Sequence, residues 1–116
     1  MKRGDVVLVF VPFVGQAGGK NRPAVIVQCD SLNAVLRETV IVEVTSNLSN
    51  TSKPHQVLID VDTADGVASG LLTDSAVRCE RPHVIPKSDV LKTIGSLSTA
   101  LMLKVDGSLK AALGIS

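Results

Sequence analysis

The sequence predicts a mainly β fold with a C-terminal α-helix, a small and strongly bent sheet or barrel on which the helix packs. Five short runs rich in β-branched residues are separated by turn-forming residues. The last third then changes period, with Leu101, Val105, Leu109 and Leu113 recurring every four residues. The chain has 116 residues, 45% of them hydrophobic, which is enough for one packed core and too little for two. Residues 1–116 are therefore read as a single domain.

Residues 6–13 are apolar and β-branched and read as a first strand. Residues 14–22 contain Gly15, Gly18 and Gly19 and are expected to form a long mobile loop rather than a tight hairpin. Pro23 fixes the loop exit, and residues 24–29 form a second buried strand. Asp30 or Ser31 caps a short helical turn running to Leu36. Residues 40–45 are a third strand, ended by the polar stretch 46–52, and residues 56–60 are a fourth. Residues 62–70 are turn-rich. Residues 76–79 form a fifth strand, from which Arg81-Pro82-His83 leads into Val84 and Ile85. Residues 88–93 suggest one or two helical turns before Gly95. Ser98 is the expected N-cap of the C-terminal amphipathic helix, in which Gly107 costs ~1 kcal/mol relative to Ala or marks close packing or a break.

Composition excludes several function classes. Aromatic residues are 2% of the chain, so base-stacking aromatic platforms are not its means of binding single strands. A net charge of +1 lacks the bulk basicity of a non-specific nucleic-acid coat, although a local basic site is compatible with it. Cys29 and Cys79 have no zinc-ligand spacing, and His55 and His83 do not complete one. Both cysteines are read as buried small hydrophobes of a reducing compartment. Asp60, Asp62 and Asp65 lack calcium-loop spacing and read as a solvated acidic turn. No metal or other cofactor is expected. Met1-Lys2-Arg3 and the apolar run behind it have the outline of a signal peptide, but Asp5 interrupts it and Pro12 lies inside. No run approaches the ~18 apolar residues of a membrane span. A cytoplasmic protein with no membrane partner is expected.

Several motifs stand in order along nearly the whole chain: Arg3-Gly4-Asp5-Val6 at the start; Lys20-Asn21-Arg22-Pro23-Ala24-Val25-Ile26-Val27 leading into the second strand; Val44-Thr45-Ser46 at the end of the third; Gly70-Leu71-Leu72 with Ser75 and Val77 before the fifth; Glu80-Arg81-Pro82-His83-Val84-Ile85 after it; and Gly95-Ser96-Leu97-Ser98 with Leu113-Gly114 bounding the C-terminal helix. Together they resemble the MazF/PemK toxins, which often have Asp-Gln-Pro-Arg-Thr-Ile where this chain has Glu80 to Ile85. The resemblance implies an SH3-like β-barrel with a C-terminal amphipathic helix, assembled as a homodimer. It further implies the toxin of a type II toxin–antitoxin pair, a metal-independent endoribonuclease that cuts single-stranded mRNA at specific sequences. In that family the 2′-hydroxyl attacks its own phosphate, leaving a 2′,3′-cyclic phosphate and a 5′-hydroxyl. The implied partners are the mRNA and a cognate antitoxin whose acidic, disordered segment blocks the RNA groove.

Such a transphosphorylation needs a base for the 2′-hydroxyl, positive charge on the phosphorane oxygens and a donor to the leaving 5′-oxygen. Arg22 offers a bidentate phosphate fork and stands where the family has its catalytic arginine. Thr45 matches the catalytic threonine. Arg78 and Glu80 are two apart, so on a strand they share a face while Cys79 points to the other. In some relatives an Arg and an Asp at these positions are acid and base. Each residue also has a plain alternative: a solvated loop-end arginine, a strand-end hydroxyl, a surface ion pair. Gln16, Lys20, Asn21, Ser46, Asn47, Arg81 and His83 are the candidate RNA-binding residues. Gln16 stands where one branch has a histidine and supplies hydrogen bonding only. Glu80, Arg81 and His83 replace the family's Asp, Gln and Arg, which bears on sequence preference and on the acid–base assignment. A gyrase-poisoning toxin and a non-catalytic binding module on the same barrel are the alternatives. The first needs a C-terminal motif, typically with a Trp, that Leu113-Gly114-Ile115-Ser116 lacks. The second is opposed by Arg22, Thr45, Arg78 and Glu80 occurring together.

Overall fold

A computed structural model describes all 116 residues. The strands are β1 (Asp5–Pro12), β2 (Gly19–Ile26), β3 (Glu38–Thr45), β4 (Gln56–Ile59), β5 (Ser75–Pro86) and β6 (Val90–Ser96). The helices are α1 (Asp30–Val35), α2 (Ala64–Ala68) and α3 (Thr99–Leu113). The strands form one antiparallel sheet in the order β4-β5-β3-β2-β1-β6, curled into a half-barrel. Its register explains why β1 reads as an unbroken apolar run. Val6 shares a face with Val25 and Val42, and this face packs with Val57, Val77 and Cys79 against Leu97, Leu101 and Val105 beside and within α3. Val7, Val9 and Val11 share the other face with Ala24, Ile26 and Ile41, where Ile85 and Val90 pack against them. At Val6 and Val7 the strand is buried on both faces and has no polar side to show, whereas farther along Leu8 is half-buried at the groove and Phe10 is exposed. Burial pushes the Cys79 thiol up to about 12, so it is a core group and not a nucleophile. Cys29 is exposed rather than buried, and both cysteines are free thiols. No helix is long and apolar enough to cross a membrane.

Four expectations are corrected, three of them by long-range pairing. Residues 88–93 are not helical: a 3-10 turn, Lys87–Asp89, leads into β6, because β1 offers an open edge that takes Val90 to Ser96 as a ladder from Val9 to Asp5. Local helical signals lose to those non-local bonds. The mobile loop shrinks to a turn closed by the Phe13 N–H donating to the Gly18 carbonyl at 2.9 Å, and Lys20, Asn21 and Arg22 lie on β2 opposite Val11, Phe10 and Val9. Residues 62–70 contain α2, capped by the Thr63 hydroxyl accepting from the Gly66 N–H. β5 runs through both of its prolines because its register on β3 slips. Glu43 faces Arg78 and Val42 faces Pro82, so Cys79, Glu80 and Arg81 bulge away from β3, and the Cys79 N–H donates to the His55 carbonyl at 3.1 Å.

Gly70 sits at φ +74, and a Cβ there would strike the Ile94 carbonyl oxygen. A Cβ on Gly95 would strike the backbone of Ser69. This backbone-to-backbone contact locks the segment before β5 onto β6, and only glycine fits at both positions. Ser98 does cap α3, accepting from the Leu101 N–H, and Gly114 ends it in the left-handed conformation. Gly107 is neither a break nor a close-packing site, since a Cβ there meets nothing within 4 Å. Gly107→Ala is therefore expected to stabilise the protein by about 0.5–1 kcal/mol, read as a higher thermal midpoint. A lowered midpoint would show that α3 needs the glycine for packing.

Candidate nucleic-acid interface

The β2–β3 ladder covers only Ala24 to Ile26, paired with Glu43 to Ile41. It stops at Pro23, which has no N–H to donate. Beyond that point the two strands part, with Lys20 to Pro23 on one wall and Val44, Thr45 and Ser46 on the other. Lys92 and Ile94 of β6 and the locked segment Gly70 to Thr73 complete a groove of about 510 Å³. Its charged groups are Lys20, Arg22 and Lys92, and its lining includes no carboxylate, imidazole or thiol. None of these three cations is in an ion pair. A chain of net charge +1 thus gathers uncompensated positive charge in one cleft, as a polyanion site requires. Asp60 and Asp65 line a different groove, between β4 and α3.

Thr45 also lines a smaller cavity of about 80 Å³ with Asn47, Asn50, Gln56 and Arg78. Its hydroxyl oxygen accepts from the Asn47 N–H at 3.1 Å, which orients it and leaves its own hydrogen free to donate. Arg78 Nε lies 3.6 Å from Glu80 Oε2, which also accepts from Gln56 Nε2 at 3.0 Å and lies 3.9 Å from His55 Nε2. Desolvation raises the Glu80 pKa, but the Gln56 hydrogen bond and the charges of Arg78 and His55 together outweigh it and hold the carboxyl below the usual range. Glu80 is a carboxylate at neutral pH. Its Oε1, and the Oε1 of Gln56, are buried with no hydrogen-bond partner.

Arg81 and His83 are placed differently. Both turn to Glu43, whose side chain is only 4% exposed: Arg81 Nε is 3.1 Å and His83 Nε2 is 2.5 Å from Glu43 Oε2. Burial raises the Glu43 pKa, but the hydrogen bonds from His83 and Arg81 overcome it and hold the carboxyl below its ordinary value. Gln16 sits exposed in the β1–β2 turn and lines neither cavity. The sequence-derived set therefore divides. Lys20, Asn21, Arg22, Thr45 and Ser46 share the groove; Thr45, Asn47 and Arg78 share the adjoining cavity, with Glu80 against Arg78; Arg81 and His83 are tied to a buried carboxylate. The sequence reading left out Lys92, Gln56, His55 and Glu43. Lys92 lay in a segment read as helical, and the other three become neighbours of site residues only through the β3–β5–β4 pairing.

Residues 2–113 match the family described as PemK-like, MazF-like toxin of type II toxin–antitoxin system. The chain is 30% identical over 116 residues to a probable endoribonuclease MazF of Mycolicibacterium smegmatis, covering 100% of this chain and 99% of that protein. It is 31% identical over 121 residues to the endoribonuclease MazF9 of Mycobacterium tuberculosis, covering 99% and 98%. Among solved structures, an endoribonuclease in complex with its cognate antitoxin from a mycobacterial species matches with a TM-score of 0.78 at 21% identity, covering 100% of this chain and 97% of that one. A MazE–MazF complex from Deinococcus radiodurans matches with a TM-score of 0.76 at 20% identity, covering 100% and 98%. At those identities the structural matches speak for the fold.

Proposed function

The chain belongs to the PemK-like, MazF-like toxins of type II toxin–antitoxin systems, and on that premise we propose that it is an endoribonuclease whose reaction takes place where the cationic groove meets the Arg78–Glu80 pair at Thr45. The observation that carries this reading is the groove itself: Lys20, Arg22 and Lys92 without a carboxylate among its walls, opening at Thr45 onto a positioned acid–base pair. Single-stranded mRNA enters the groove through its phosphates. Arg22 and the Thr45 hydroxyl hold the non-bridging oxygens of the scissile phosphate as charge builds on them. The ionised Glu80 takes the 2′-hydroxyl proton, the 2′-oxygen bonds to phosphorus, and the bond to the 5′-oxygen breaks. Arg78 donates to that leaving oxygen. The products are a 2′,3′-cyclic phosphate and a 5′-hydroxyl.

The donor chemistry of the groove supports metal-independent cleavage, since arginine, lysine and threonine do the work a divalent cation would do on phosphate. Cutting of a long single-stranded RNA is expected to proceed in EDTA and to leave cyclic-phosphate ends. Loss of cutting in EDTA, restored by magnesium alone, would remove the self-attack chemistry. Sequencing the new 5′ ends reads out the cleavage motif. A cognate antitoxin with an acidic segment fits the same cations and would exclude RNA competitively. The exposed apolar side chains of Phe10, Phe13 and Val14 on the β1–β2 hairpin, and of Val84 on β5, support burial against a second copy in a homodimer.

A further inference from the structure

Three features of the groove point beyond the residues named above, on the premise that the chain binds RNA there. The first is charge. Lys92 lies on β6, the outermost strand, opposite Leu8 of β1. It lines the groove together with Arg22, is exposed, and has no ion-pair partner. The second is an apolar wall. Leu72 is 94% exposed and lines the same groove beside Leu71 and Ile94. An exposed leucine by itself is ordinary. This one lies two residues beyond Gly70, whose backbone comes so close to the Ile94 carbonyl that a Cβ would not fit, which places the segment against β6 at the groove. The groove lining has no aromatic residue, so an unstacked base meets aliphatic carbon there instead of a ring. The third is the state of the opposite side. Arg81 and His83 are engaged by the buried Glu43, so the β5 side offers no unpaired arginine.

We propose that the RNA path runs from Thr45 past Arg22 onto β6, where Lys92 binds a flanking phosphate and Leu72 with Ile94 packs against an unstacked flanking base. The strand thus leaves the reaction site toward the β6 edge and not along β5. Lys92 acts in binding and carries no sequence information; Leu72 shapes a base site and carries no charge.

The test uses a fluorescently labelled, single-stranded 2′-O-methyl oligoribonucleotide of mixed sequence, which the self-attack chemistry cannot cut. Affinity is measured across a salt series. Lys92→Ala is expected to weaken binding several-fold at low salt and to reduce the slope of log affinity against log salt by about 0.7, the value for one single-strand phosphate contact. Lys92→Gln should do the same. Leu72→Ala is expected to weaken binding several-fold with the slope unchanged. Lys110→Ala, on the last turn of α3, is the control with neither effect. An unchanged slope in Lys92→Ala overturns the proposal. So does a slope lowered by Arg81→Ala and not by Lys92→Ala, which would route the strand over β5. Wild-type protein that neither binds this probe nor cuts natural RNA would instead remove the endoribonuclease reading.

Discussion

Arg22→Ala is expected to slow RNA cleavage by about 100–1,000-fold, the ~3–4 kcal/mol of a pre-positioned contact to transition-state charge. Cleavage should fall without loss of structure, because nothing in the fold depends on the guanidinium. Arg22 makes no ion pair, and its partner across the ladder, Val9, is anchored by the apolar face behind it. β2 supplies what a loop would not: a backbone fixed by β1 on one side and released from β3 on the other, so the side chain projects into the cleft from a rigid strand. Single-turnover cleavage with saturating RNA measures the effect, and urea unfolding checks stability. Near-normal cleavage by a folded Arg22→Ala protein would take this residue out of the mechanism. Arg22→Lys should restore charge but not the bidentate fork, and so recover only part of the rate.

The second large effect is on stability. Replacing both Arg81 and His83 with Ala strands the Glu43 carboxylate, which is 4% exposed, without its two side-chain partners. Leaving a buried charge uncompensated costs about 3–5 kcal/mol. The pH dependence carries a sign that identifies the cause. In the wild-type protein the Glu43 pKa lies below its ordinary value, so its contribution to stability is full above the unfolded pKa and is lost as pH falls through the folded one. In the double variant only burial remains, which pushes the pKa up. The protonated form then folds without penalty below the unfolded pKa, and stability is lost as pH rises through the folded value. The gap between wild type and variant should therefore be wide at neutral pH and narrow in acid. Adding Glu43→Gln should recover much of the loss at neutral pH. A loss under about 1 kcal/mol, or a gap that ignores pH, would show that Glu43 does not depend on these two partners.

The periodicity of the chain determined the elements with strong local character. β1, β3, β4 and the capped C-terminal helix follow from runs of β-branched residues, the polar stops behind them, and Ser98 before a four-residue repeat. The sequence also held the residues of the groove's reactive half, because Arg22 before Pro23 and Thr45 at a strand end are local patterns. Tertiary structure decided the rest. β6 is a strand because β1 had an open edge, and no local signal reports a distant edge. β5 is bulged because Glu43 pairs with Arg78 while Val42 pairs with Pro82, which swings Glu80 toward Gln56 and His55 on the β4 side. That same slip returns Arg81 and His83 to Glu43, so two side chains that looked like RNA contacts by spacing became partners of a buried acid. Lys92 entered the groove for the reason β6 exists at all. Spacing along a strand fixes which face a side chain takes; only the register between strands fixes what it meets there.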